Sequence, residues 1–347
     1  MNDVEFEIKS RKIGFHHDPL IIAEIGINHE GSLELAKKMA DLAIDAGVDV
    51  VKHQTHIVED EMSKEADKDV IEYIGKSIYK LMDDCSLSLD EEIELKDYVE
   101  SKGCIYLSTP FSRAASNFLN EIDIPAFKIG SGECNNYPLV DHIAKFGKPV
   151  ILSTGMNDYD SIKISVDILE ERKVPYALLH TTNIYPTPHH LVRLNAIQEM
   201  YKIFPECVIG FSDHTTDNLV SFGAVALGAS ILERHFTDTM KRDGPDIKNS
   251  MDPKAAKELV EGSKLIKSGR YGVKGPIEEE RDVINFAYAS VVSIKEIKKG
   301  EPFSMENIWV KRPGTGPYFA KDFKNILGKK ASRDISKDKH LEPEDII

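Results

Sequence analysis

The sequence predicts a mixed α/β protein, a (β/α)8 barrel followed by a small β domain, and three observations carry that expectation. Eight short apolar segments recur along the chain: LIIAEIGIN, VDVVKHQ, CIYLSTPF, AFKIGSGE, PVILSTGM, YALLHTTNIYP, VIGFSDHT and SILERHFT. Stretches with helical spacing and good helix formers separate most of them, and nearly every apolar segment ends in polar or charged residues. Strand alternating with helix requires parallel pairing, and eight such units are the number that closes a barrel.

In chain order, VEFEIKSRKIGF reads as an N-terminal hairpin. SLELAKKMADLAIDAG (32–47) reads as an amphipathic helix, as does SLDEEIELKDYVESKG (88–103), which opens on a Ser-x-x-Glu capping pattern and closes at Gly103. The apolar segments run into Glu24 and Asn28, Lys52 and Gln54, Ser108 and Thr109, Lys128 with Ser131 and Glu133, Ser153, Asn183 and Tyr185, Asp213 and His214, and Glu233 and His235. In a barrel the carboxyl ends of all strands meet at one rim, where catalytic groups sit. Merely polar loops would place charge on both sides of the strands. The segment starts instead carry Pro19, Pro125, Pro149 and Pro175.

Past Gly269 the pattern breaks, so the barrel is assigned to residues 1–269. The segment 270–285, Gly/Pro-containing and charge-rich, reads as a linker. Residues 286–347 form a compact β domain with a weak internal repeat, in which IKKGEPFSMENI (297–308) and ISKDKHLEPEDI (335–346) share Ile, Lys, an apolar seventh position, Glu and a final Ile.

Composition bounds the function. With 41% hydrophobic and 29% charged residues over 347 positions, the chain can bury a sizeable core. A formal charge of −14 argues against nucleic acid or an anionic membrane as partner. No apolar stretch has the length of a membrane span and MNDVEFEIKS lacks a signal pattern, so a cytoplasmic location is expected. Cys85, Cys104, Cys134 and Cys207 have neither CxxC spacing nor the density of a disulfide framework and read as reduced thiols.

Lys52 and Lys128 stand at the ends of the second and fourth strands and can face one mouth. With Thr109, Ser131, Ser153 and Asn183 they suit an anion cradle, ammonium groups supplying charge and the polar groups directional hydrogen bonds. The ligand inferred is phosphate plus carboxylate. A Schiff-base lysine on the same barrel is the competing chemistry. His214 and His235 end neighbouring strands and could hold a divalent metal such as manganese or zinc, completed by Glu24, Asp246 or water; a hydrogen-bonding or acid/base pair would read the same. Glu24, Glu133 and Asp246 add carboxylates able to orient hydroxyls or move protons, with a structural ion pair the alternative for Glu24. His29, His53, His56, His180, His189 and His190 read as loop or supporting groups. A binding protein on an inert barrel would have no need of two lysines beside paired histidines.

The stretches AEIGINHEGSLELAKK, VKHQTHIVEDEMS, STPFSRAA, KIGSGECNNYPL, ILSTGM, LLHTTNIYPTP, FSDHT, LERHFTDTM, GPDIKNSMD and WVKRPGTGP closely resemble sialic acid synthases (N-acetylneuraminate synthases), in collinear order over almost the whole chain. The resemblance implies a TIM barrel with a C-terminal antifreeze-like (SAF) domain. It also implies condensation of phosphoenolpyruvate with N-acetylmannosamine, with phosphate released by C–O cleavage. It assigns Lys52, Thr109, Lys128, Ser131, Ser153 and Asn183 to phosphoenolpyruvate. It gives His214 and His235 to a Mn2+ or Mg2+ ion, and Gln54, Glu133, Tyr185, Asp246 and Phe286 to the sugar. Arg312 matches an arginine inserted into the other subunit's barrel, which implies a domain-swapped homodimer. One departure stands out: where neuraminate-forming members carry an asparagine shortly before SIY, this chain reads IGKSIY, with Gly75 about there. Related synthases that make legionaminic or pseudaminic acids accept 2,4-diacetamido-6-deoxy sugars.

Overall fold

The structure, a computed structural model, describes residues 3–68, 70–71, 76–244 and 246–347. The Gly75 position lies outside the described residues. The chain divides after Tyr271 into two compact units.

The first unit carries eight parallel strands, all at the segments the sequence marked. They are β1 (Leu20–Gly26), β2 (Val50–Thr55), β3 (Ile105–Pro110), β4 (Phe127–Ile129), β5 (Val150–Ser153), β6 (Tyr176–Thr181), β7 (Val208–Asp213) and β8 (Ile231–His235). Hydrogen-bonded neighbours run β3-β2-β1-β8-β7-β6-β5-β4, and the two end strands lie side by side, so the sheet curls into a nearly closed barrel. Among the described residues no ladder joins β3 to β4. Helices α1 (Leu33–Asp45), α2 (Leu89–Ser101), α3 (Arg113–Glu121), α4 (Tyr137–Ala144), α5 (Tyr159–Glu171), α6 (Asn195–Ile203), α7 (Leu219–Ala226) and α8 (Pro253–Gly269) follow the strands in turn. The Ser88/Glu91 capping box fixes the start of α2, where both reciprocal hydrogen bonds form. Two short helices, Val58–Glu61 and Ile78–Cys85, lengthen the β2–α2 connection.

Strand periodicity sorts the barrel interior into layers. Leu20, Ile22, Val50, Leu107, Ala126, Ile151, Ala177, Leu179, Val208 and Ile231 form one apolar cluster, closed off by Ile8 and Ile13. Those two isoleucines belong to the expected N-terminal hairpin, Glu5–Ile8 paired with Arg11–Gly14. A Cβ at Gly210 would strike Leu179 and Ile231, so glycine there makes room for the layer. Two residues further along each strand, or four past Val208 in β7 where Gly210 intervenes, the same inward face turns polar: Glu24, Lys52, Thr109, Lys128, Ser153, Thr181, Ser212 and Glu233. The apolar layer is a floor and the polar layer stands on it. The outward face packs on the helices around a second, larger core.

In the second unit Ser290–Ser293 pairs antiparallel with Ile308–Lys311. The two repeat segments meet at their first residues, where Ile297 and Ile335 exchange backbone hydrogen bonds of 2.9 and 2.8 Å. Their apolar seventh positions, Phe303 and Leu341, are buried in one core with Ile308, and Ile346 packs against it. Each segment also ends in the same local bond, from the amide of Ser304 to Asn307 Oδ1 and from the amide of Glu342 to Asp345 Oδ2, both at 2.8 Å. The repeat is therefore structural.

Candidate active site

The inward polar groups and the loops after the strands enclose a cavity of about 280 Å³. Glu24, Lys52, Gln54, Thr109, Lys128, Ser131, Glu133, Ser153, Asn183, Tyr185, His214 and His235 all line it, and these are the barrel residues the sequence proposed except Asp246. Asp246 sits just beyond, its Oδ2 3.7 Å from His235 Nδ1. Phe286 and Arg312 belong to the second unit, where the guanidinium lies 5.8 Å from the phenyl ring centre.

Charge at the cavity floor is nearly all buried. Lys52 is ion-paired with Glu24 and donates to Thr109 Oγ1 at 3.0 Å. Glu233 Oε1 lies 3.9 Å from Lys52 Nζ and 3.6 Å from Lys128 Nζ, so the two lysines share one carboxylate. Burial pulls the Lys52 ammonium down to about 7 against the pull of Glu233. Glu24 thus makes the structural ion pair named as its alternative. Glu233, which the sequence placed at a strand end without a role, is the centre of the cluster. The available signal was a carboxylate inside an apolar strand, two residues before His235 and so on the same face.

Strand alternation separates these groups from a second buried network on the outer face. His53, next to Lys52, points outward, with its Nδ1 3.3 Å from Glu92 Oε1 of α2 and its Nε2 3.1 Å from His29 Nε2. Glu92 also accepts from Thr55 at 2.6 Å and Tyr106 at 3.0 Å. His29 and His53 are therefore supporting groups, as expected from sequence. His56 instead reaches the mouth region, stacked on Phe111 at 4.4 Å between ring centres and 3.2 Å from Gln54 Oε1.

His214 and His235 have ring centres 5.4 Å apart, and the Tyr185 ring lies 4.2 Å from the first and 6.2 Å from the second. Burial lowers His214 to about 4 and His235 to about 3, so both are neutral imidazoles. His214 Nδ1 donates to Thr182 O at 3.0 Å, which leaves its Nε2 with the lone pair, and His235 Nδ1 is buried without a hydrogen-bond partner. Two neutral imidazoles beside Asp246, whose carboxyl burial raises to about 6, suit a divalent metal. Among the described residues no group of three or more His, Cys, Asp or Glu side chains is placed to hold a metal, so such an ion would take its remaining ligands from substrate or water.

Several cavity atoms are buried with no partner: Glu133 Oε2, Ser153 Oγ, Asn183 Oδ1, Glu233 Oε2 and His235 Nδ1. Burial raises the Glu133 carboxyl to about 7, with the Glu61 carboxylate adding to the effect. Unpaired polar atoms are costly inside a protein, and here they converge on one space.

Fold and rim together define a (β/α)8-barrel enzyme with a lysine pair and a histidine pair at one mouth. The chain belongs to the NeuB family, whose profile matches residues 39–271, and the SAF domain profile matches residues 288–347. It is 37% identical to N,N'-diacetyllegionaminic acid synthase of Campylobacter jejuni, over 92% of this chain and 97% of that protein. It is 40% identical to an uncharacterised protein of Methanocaldococcus jannaschii, over 99% of both chains. Among solved structures it is similar to the N-acetylneuraminic acid (sialic acid) synthetase of Leptospira borgpetersenii in complex with citrate, at 31% identity and a TM-score of 0.74, covering 81% of this chain and 95% of that one.

Proposed function

We propose that this protein condenses phosphoenolpyruvate with a 2-acetamido sugar aldehyde, N-acetylmannosamine being the acceptor its sequence motifs favour, and releases phosphate by C–O cleavage. The observation that carries the reading is the convergence of unpartnered buried polar atoms around two buried lysines and two neutral imidazoles. Lys52 and Lys128, with Thr109, Ser131, Ser153 and Asn183, would take the phosphate and carboxylate of phosphoenolpyruvate. The citrate complex of the Leptospira relative supports an anionic ligand of carboxylate type. His214 and His235, with Asp246 near, would hold a Mn2+ or Mg2+ ion, which supplies Lewis acidity toward the aldehyde oxygen. Gln54, Glu133 and Tyr185 would orient the sugar, and Glu133, raised by burial to about 7 and so partly protonated near neutral pH, can donate a proton to it or relay one from water. Glu24 and Glu233 hold the lysines inward before the substrate arrives. Arg312 and Phe286 would complete the pocket from the second unit of a partner chain in a domain-swapped homodimer, in the cytoplasm. A second reading, an acceptor with two acetamido groups, is favoured by the likeness to the Campylobacter synthase.

The test is phosphate release and product mass with phosphoenolpyruvate, manganese and a panel of amino sugars. Chelation should abolish turnover. Lys128→Met should weaken phosphoenolpyruvate binding in calorimetry by about 10- to 100-fold, the loss of a charge-assisted contact of roughly 1.5–3 kcal/mol. Normal affinity in that variant, or full turnover without metal, would sink the assignment.

A further inference from the structure

One histidine at the mouth is tied to two acceptors at once. His56 Nδ1 lies 2.7 Å from Glu61 Oε2, and its Nε2 lies 3.2 Å from Gln54 Oε1. A carboxylate and an amide carbonyl only accept, so the ring serves both by donating from both nitrogens, and the Glu61 carboxylate balances the charge such a ring carries. The pair is enclosed, with the His56 side chain 3% exposed and that of Glu61 9%. Its surroundings are pinned as well. The His56 ring stacks on Phe111, 11° from parallel at 4.4 Å between ring centres, and Phe111 lines the cavity. Glu61 ends the short helix Val58–Glu61, in which Asp60 Oδ2 accepts from the amide of Ala114 at 2.8 Å, in the first turn of α3.

Gln54 is the group on which this arrangement acts, and it lines the cavity beside Glu24. With its oxygen taken by His56, the carboxamide turns its NH2 toward the Glu24 side. A Cβ at Gly26 would come within 3.2 Å of Gln54 Nε2 and 2.9 Å of Glu24 Oε1. Glu24 Oε1 has no hydrogen-bond partner, so the Gln54 amide hydrogens are not spent on it. A carboxamide with no such anchor can turn over and exchange a donor for an acceptor at the same place. Here the turned form would set NH2 against the N–H of His56, which removes that freedom and leaves a donor on the cavity wall.

We infer that His56, anchored by Glu61, is a positioning residue for the acceptor sugar, acting through Gln54 so that the amide hydrogens of Gln54 are presented to an oxygen of the sugar. This rests on the synthase reading above and deepens it. His56 does not itself touch the sugar; it decides which end of the Gln54 amide does. The two lysines that would take phosphoenolpyruvate have other partners, Glu24, Thr109 and Glu233, so the effect of His56 belongs to the acceptor side of the pocket.

The experiment is a double-mutant cycle of His56→Phe, which keeps a ring on Phe111 but donates nothing, and Gln54→Met. Phosphate release is followed at saturating phosphoenolpyruvate with manganese and the sugar of the panel above that turns over fastest, and phosphoenolpyruvate affinity is measured by calorimetry. Each single variant should lose about 5- to 10-fold in kcat/KM for the sugar, as expected for one hydrogen bond, while phosphoenolpyruvate affinity stays within about 2-fold of wild type. The double variant should be no worse than Gln54→Met alone to within about 2-fold, because residues that act through one another do not add. Losses that multiply in the double variant, or a fall in phosphoenolpyruvate affinity as large as that for the sugar, overturn the inference and leave the synthase reading intact. Should His56→Phe fail to fold, His56→Leu takes its place in the same cycle with the same outcomes. No phosphate release by the wild type with any sugar overturns the synthase reading and this inference with it.

Discussion

Glu133 concentrates the chemistry of the mouth in one side chain. Burial holds its proton on to about 7, whereas an exposed glutamate releases it near 4.5. Between those values the folded state binds more protons than the unfolded one, so stability falls as pH rises through that window and is level above it. Glu133→Gln removes the ionisable group, and the difference in melting temperature between variant and wild type should grow in the variant's favour from pH 5 to pH 7.5. A constant difference across that range would mean Glu133 titrates normally. At this scale much was legible in the sequence, because a period of two puts Lys52 with Gln54 and Glu233 with His235 on one face. The convergence of His53, Thr55 and Tyr106 on Glu92 was not, because it depends on how α2 packs behind the strands, which has no sequence signature.

The rim loops are as tightly specified as the strands that carry them. After β5 the chain turns at Gly155, whose amide donates to Ser131 Oγ at 3.1 Å, while Asn157 donates to Ser131 O at 3.0 Å. A methyl at Gly155 would collide with Asn183 Oδ1 and crowd Ser131 Oγ. Gly155→Ala should therefore leave the barrel folded by circular dichroism yet lower kcat/KM for phosphoenolpyruvate by at least about 10-fold, since both displaced groups line the cavity. Wild-type kinetics would show that the loop yields easily. The elements were readable because local and long-range signals agreed: the Ser88/Glu91 box starts α2, and the polar strand ends fall at one rim. The helices Val58–Glu61 and Ile78–Cys85 went unread. They are short, and the first is almost wholly charged, so neither has enough turns to display a periodicity.

At the scale of the whole molecule, a mixing experiment counts the chains that make one site. If Arg312 acts on a partner's barrel, Arg312→Ala and His235→Ala homodimers are each nearly inactive, while a heterodimer gathers both lesions in one pocket and leaves the other whole. Mixing the two variants under conditions of subunit exchange should restore activity, up to about half that of wild type per heterodimer with independent pockets. Full activity in Arg312→Ala alone would remove the role. Absence of rescue despite exchange would place the arginine over its own barrel. The two-unit division was visible as a change of pattern past Gly269, and the internal repeat as two twelve-residue segments that prove to pair through Ile297 and Ile335. Which barrel the second unit serves was not legible, because one chain's sequence does not encode the path of its partner.

The boundary between β3 and β4 differs from the other seams of the barrel. Among the described residues seven seams of the barrel are sewn by backbone ladders, and at this one the strands lie side by side without one. Separation of the strands there would break no ladder bond. Thr109 stands on one lip and Lys128 on the other. Among the described residues, backbone ladders therefore link the two side chains only the long way round the barrel.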